Sequence, residues 1–168
     1  VAPALLGGFV GVMQTEPPRI CRFAIPASWR FAVILSHKEV KTSEARAVLP
    51  DKVPMVDAIT NLRHLTGLFH ALQEQDLVSF ASHLKDRLAI PYRAPPLPLF
   101  EAARRSADDA AADALQVSDT GPALFAPSPA HTSAQQVCEA VEKALSNEQI
   151  GATTYVSKPG DGALVLRS

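Results

Sequence analysis

An α+β sandwich, with helices on one face of a sheet, is the fold class this sequence predicts. Two observations predict it. From Trp29 onward, β-branched and aromatic runs alternate with segments whose apolar residues recur every three or four positions. Prolines at Pro17-Pro18, Pro91, Pro95-Pro96, Pro98 and Pro127/Pro129 cut the chain between those segments. Closing strands joined by a short turn give the ferredoxin-like variety of this architecture.

Ala2 to Leu6 reads as the end of a helix closed by Gly7-Gly8. Phe9 to Gln14 and Arg22 to Ile25 are strand candidates. Trp29 to Leu35 is a buried strand, because nearly every residue in it is apolar, aromatic or β-branched. A short helix runs from Thr42 to Leu49 and stops before Pro50. Over Met55 to Gln75, Ile59, Leu62, Leu65, Leu68, Phe69 and Leu72 form one helical stripe. Asp76 is placed to cap the next helix, whose stripe is Leu77, Phe80, Ala81, Leu84 and Leu88.

Asp86 and Arg87 read as an ion pair at that helix end. Pro98 to Leu115 is a helix rich in Ala, with Arg104, Arg105, Asp108 and Asp109 on a solvated face. Leu115 to Val117 and Ala123 to Ala126 are short strands around Ser118–Pro122. Thr132 to Asn147 is a helix with Val137, Ala140, Val141 and Ala144 inward. Ala152 to Ser157 and Ala163 to Leu166 are terminal strands joined by Pro159-Gly160-Asp161-Gly162, a turn composition.

Composition excludes several function classes. The 168 residues suffice for one domain with a core, or one domain and a piece of another. A formal net charge of −1, with no basic run, argues against nucleic acid and anionic membranes. Val1 to Met13 is too short to span a bilayer and lacks the charged start of a signal sequence. Cys21 and Cys138 form no metal-binding or redox pair and read as reduced thiols. His37, His64, His70, His83 and His131 are scattered, with His64 and His70 on different faces of one helix. No Walker A, GxGxxG or GxSxG segment is present.

Three segments carry residues suited to an anionic ligand. Thr42 and Arg46 are four apart, on one face at the start of a helix, where free N–H groups and an arginine fork favour a carboxylate or phosphate. Arg93 is held between Pro91 and Pro95 in a segment of little freedom, which suits orientation of an anion. Ser118-Asp119-Thr120-Gly121-Pro122 is a small-residue turn that lets backbone N–H groups approach a ligand. Read one at a time, each segment is equally well a helix cap, a surface arginine or an ordinary turn.

Read together and in this order, the segments resemble the C-terminal half of the homoserine kinases, members of the GHMP family of small-molecule kinases. Thr42-Ser43-Glu44-Ala45-Arg46 through Leu49-Pro50 is similar to that family's T-x-E-A-R…L-P segment. Asp86-Arg87 with Pro91-Tyr92-Arg93 is similar to its D-R-x-x-x-P-x-R segment. Ser118 to Pro122 stands where it carries S-G-[AS]-G-P-[ST]. Asp119 replaces the family's Gly, and Ala123 its Ser/Thr.

The resemblance implies transfer of the ATP γ-phosphate to the hydroxyl of L-homoserine, in threonine biosynthesis in the cytoplasm, by a protein that dimerises as a full-length chain. It implies Arg46 and Arg93 on the homoserine carboxylate and Thr42 near the reacting hydroxyl. It places Ser118, Asp119, Thr120 and Gly121 beside the phosphates. Residues 1–28 would end an ATP-binding N-terminal domain, and residues 29–168 would be the C-terminal domain. The Gly-rich ATP loop and most Mg²⁺ ligands are expected outside these residues, so this chain alone is expected to turn over negligibly. Another GHMP kinase, for a sugar or mevalonate, and a non-catalytic ferredoxin-like binding module remain the alternatives.

Overall fold

The computed structural model describes residues 2–37, 41–93, 98–109, 114–118 and 121–164. Helix α1 (Ala2–Leu6) leads through Gly7-Gly8 into an antiparallel hairpin, β1 (Phe9–Thr15) and β2 (Pro18–Phe23). The second strand begins four residues earlier than the sequence suggests, because Glu16 and Pro17 form the tight turn and Pro18 opens the return strand at an edge. Strand β3 (Arg30–Ser36) is followed by α2 (Thr42–Ala47), α3 (Met55–Glu74), α4 (Leu77–His83) and the one-turn α5 (Ile90–Arg93). Then come α6 (Pro98–Asp109), β4 (Gln116–Val117), β5 (Ala123–Ser128), α7 (His131–Asn147) and β6 (Ala152–Ser157).

The four later strands form an antiparallel sheet in the order β4-β5-β3-β6. Alternation along β3 divides it between two cores. Ala32 and Ile34 point to one face, where α6 and α7 bury Phe100, Ala103, Ala107, Val137, Val141 and Leu145. Phe31 lies on the other face and packs with Trp29, Leu72 and Phe80 from α3 and α4, joined by Phe9 and Phe23 of the hairpin. The hairpin is thereby tied to the α3–α4 layer through aromatic contacts, Phe23 stacking on Phe69 with centroids 4.8 Å apart.

The α3 stripe is buried only in its second half. Leu72 is buried, whereas Leu62 is 62% exposed and Ile59 and Leu65 are also exposed. The corner between α3 and α4 is well specified. Gln75 adopts the left-handed conformation (φ 56°), and the Asp76 N–H donates to the Ala71 carbonyl in a Schellman closure. Asp76 then caps α4, its carboxylate accepting the Ser79 N–H at 3.0 Å.

Several expectations require correction. Helix α2 ends at Ala47, with Val48 already outside it. The segment around Pro91 is helical, since proline is well placed in a first helical turn, where its missing N–H would be unpaired anyway. Helix α6 is described only to Asp109. As expected, Arg104 and Arg105 face outward, and Ala102, Ala103 and Ala107 pack inward. Ala140 and Ala144 of α7 are only half-buried, and the fully buried face runs through Ala134, Val137, Cys138, Val141 and Leu145.

The expected strand from Ala163 to Leu166 is absent at Ala163 and Leu164, and its remainder lies outside the described residues. The Ala163 N–H instead donates to the Leu5 carbonyl at 2.9 Å. That bond, with Gly8 N–H to Gly160 C=O at 3.0 Å, clasps the 160–163 turn against the start of the chain.

Candidate functional site

The C-terminal end of β3 organises the site. The Ser36 N–H donates to the Pro122 carbonyl at 3.3 Å, which fixes the β4–β5 turn beside the exit of β3. Within that turn Gly121 N–H bonds Ser118 C=O at 3.0 Å, and Ser118 N–H bonds Ala123 C=O at 2.8 Å. Gly121 sits at φ +81°, a conformation that favours glycine. Asp119 and Thr120 lie outside the described residues. On the other side of β3, the His37 N–H donates to Gly151 C=O at 2.8 Å, and a His37 ring nitrogen bonds the Thr153 hydroxyl at 2.8 Å.

Helix α2 begins six residues after Ser36 in the chain. Ala45 is its buried residue, and Thr42 and Arg46 are exposed. Lys41 takes the N-cap position and pairs with Glu44 at 3.5 Å, an exposed contact of little energetic consequence. With six residues and Arg46 in its last turn, α2 offers an anion a guanidinium more than a dipole.

Arg93 reaches this helix from α5. Its Nε donates to the Ala45 carbonyl at 3.3 Å, satisfying one of the carbonyls that a helix C-terminus leaves open. The two arginines that sequence spacing kept 47 positions apart are therefore carried by elements in direct contact, on Ala45 and its immediate neighbour Arg46. An arginine fork is matched in shape and charge to a carboxylate.

What holds Arg93 there was not legible from pairwise spacing. The Asp86 carboxylate does not act as one half of an Asp86–Arg87 ion pair. Its Oδ1 accepts the Leu88 N–H at 2.6 Å and the Ala89 N–H at 2.9 Å, closing the turn that starts α5. The Arg87 N–H donates to Asn61 Oδ1 at 3.0 Å and ties that turn to α3.

Ser118 also lines an open depression of about 480 Å³ over the sheet face, with Phe31, Val33, Gly8, Lys158 and Gly160. Lys158 is a cation that sequence reasoning passed over. Its signal was its place directly before the Pro159-Gly160 turn. Among the described residues no group of three His, Cys, Asp or Glu side chains converges as a metal site, and no helix is long and apolar enough to cross a membrane. The resolved pKa displacements fall outside the site. His64 is lowered by burial and by His83, Lys85 and Arg87, and Cys138 is raised by burial.

The homoserine kinase of Thermococcus gammatolerans is 39% identical over 98% of this chain, and that of Pyrococcus furiosus is 36% identical over 97%. The crystal structure of homoserine kinase from Cytophaga hutchinsonii superposes with a TM-score of 0.91 over 96% of this chain, at 31% identity. The chain is a homologue of homoserine kinases. It spans about half the length of the curated relatives it matches, 54% in both archaeal cases, and corresponds to a C-terminal part of the homoserine kinase. No protein-family model matches it. The α+β architecture is accordingly that of homoserine kinases of the GHMP family.

Proposed function

We propose that this chain forms the homoserine-binding side of an ATP-dependent homoserine kinase. The observation that carries the reading is the bond from Arg93 Nε to the Ala45 carbonyl, which joins the two arginine-bearing segments of a homoserine kinase homologue. In this reading Arg46 and Arg93 grip the homoserine carboxylate, and Thr42 lies near the substrate hydroxyl. Ser118, Asp119, Thr120 and Gly121 run beside the phosphates. Residues 1–28 complete an ATP-binding domain, and residues 29–168 are the C-terminal domain. The full-length protein is a cytoplasmic homodimer.

The reaction forms a bond between the substrate oxygen and the γ-phosphorus, breaks the bond from that phosphorus to the β,γ-bridging oxygen, and releases the hydroxyl proton. Alignment and charge neutralisation supply most of the catalysis, so no strong general base is required.

The test is steady-state kinetics of the full-length protein containing this chain. Arg46→Ala and Arg93→Ala should each raise KM for L-homoserine about tenfold or more, the loss of a charge-assisted contact, while KM for ATP changes little. Unchanged homoserine KM in both variants would remove the carboxylate assignment.

A further inference from the structure

Helices α3 and α4 meet where His64 and His83 face each other. Their Nδ1 atoms are 3.4 Å apart and their ring centroids 5.7 Å apart, and both residues are half-buried. The pair is positioned by its surroundings. His83 ends α4, whose start is fixed by the Asp76 cap. Its ring lies in a notch left by Gly67, where an added Cβ would fall 2.5 Å from the ring carbons Cγ and Cδ2. Two facing imidazole nitrogens share one proton or present both lone pairs to a common electrophile. Nitrogens bound to one tetrahedral Zn²⁺ at 2.0–2.1 Å stand about 3.3–3.4 Å apart, the separation seen here.

We propose that His64 and His83 form a two-histidine site for a divalent transition-metal ion, best suited to Zn²⁺, that bridges α3 and α4. Water or another ligand completes the coordination. An imidazole donor set favours Zn²⁺, Ni²⁺ and Cu²⁺ over Mg²⁺ and Ca²⁺. Lys85 and Arg87 add positive potential that weakens capture. The site is separate from the arginine pair, although His83 directly precedes the 84–89 connection that leads to Arg93.

Calorimetric titration of ZnCl₂ into the chelator-washed chain tests this, with thermal unfolding followed in parallel. The expected result is equimolar binding and a rise in unfolding temperature that EDTA reverses, with no response to MgCl₂. His64→Ala and His83→Ala should each lose affinity tenfold or more, equal to about 1.4 kcal/mol, while His70→Ala binds as the parent does. Gly67→Ala keeps both histidines but displaces the His83 ring, and should weaken binding as well. If His64→Ala fails to fold, His64→Gln takes its place. Parent-like affinity in the His64 and His83 variants, loss of binding in His70→Ala, or no binding by the parent would overturn the proposal.

Discussion

Replacing Gly7 with alanine tests the clasp between the start of the chain and the 160–163 turn. Gly7 sits at φ +69°, and an added Cβ would lie 2.3 Å from the Asp161 carbonyl carbon and 2.4 Å from the Gly160 oxygen and Gly162 nitrogen. Every one of those neighbours is backbone, so no side chain can swing away. The left-handed conformation alone costs a non-glycine residue roughly 1–2 kcal/mol. Relieving the clash means separating the segments and losing the Gly8–Gly160 and Ala163–Leu5 bonds, each worth about 0.5–1.5 kcal/mol. The expected loss is about 3 kcal/mol, which lowers the unfolding midpoint of a domain this size by about 6–12 °C.

Gly160→Ala is the internal control. Nothing lies within 4 Å of a Cβ there and its φ is not positive, so it should be near neutral. Differential scanning calorimetry of the two variants reads the difference. A Gly7→Ala midpoint within a degree of the parent, or equal effects of the two substitutions, would refute the reasoning.

Further predictions rest on other parts of the fold. His64 has a pKa lowered by burial, His83, Lys85 and Arg87. The unfolded chain therefore takes up a proton first, near pH 6.5, so the contribution is intact above that pH and is lost as pH falls through the lower folded value. Chemical denaturation with chelator present should show stability declining below pH 6.5, and His64→Ala should flatten that decline. Thiol titration of the native chain should find Cys21 reactive and Cys138 silent until denaturant is added, because Cys138 is 1% exposed and burial raises its pKa. Asp76→Ala removes the α4 cap and should cost about 1 kcal/mol in urea unfolding.

The sequence was most legible where local chemistry decides structure. Asp76 announced its cap, the aromatic and β-branched run announced β3, and the spacing of Val137 and Val141 announced the buried face of α7. It was less legible where distant segments decide. Periodicity marked Ile59, Leu62 and Leu65 as inward, but inwardness depends on a partner, and only the Leu68–Leu72 end of α3 finds one among the described residues. The proline at 91 suggested a stiff loop, yet Asp86 closes a turn onto the following N–H groups and a helical turn follows. The candidate arginines were visible as single residues. The contact between their segments was not, because the link is a side chain on a backbone carbonyl 48 residues away, which leaves no spacing signal.

The most direct test of the account compares L-homoserine with its decarboxylated analogue, 3-aminopropan-1-ol, as phosphate acceptors for the full-length protein. The two share the reacting hydroxyl and the amine and differ in the carboxylate that Arg46 and Arg93 are proposed to hold. The account predicts that kcat/KM for the analogue is lower by about a hundredfold or more, since two charge-assisted contacts of about 1.5–3 kcal/mol each are lost. It also predicts that Arg93→Ala narrows this gap by impairing L-homoserine alone. Phosphorylation of both acceptors with equal efficiency, or an undiminished gap in Arg93→Ala, would contradict it.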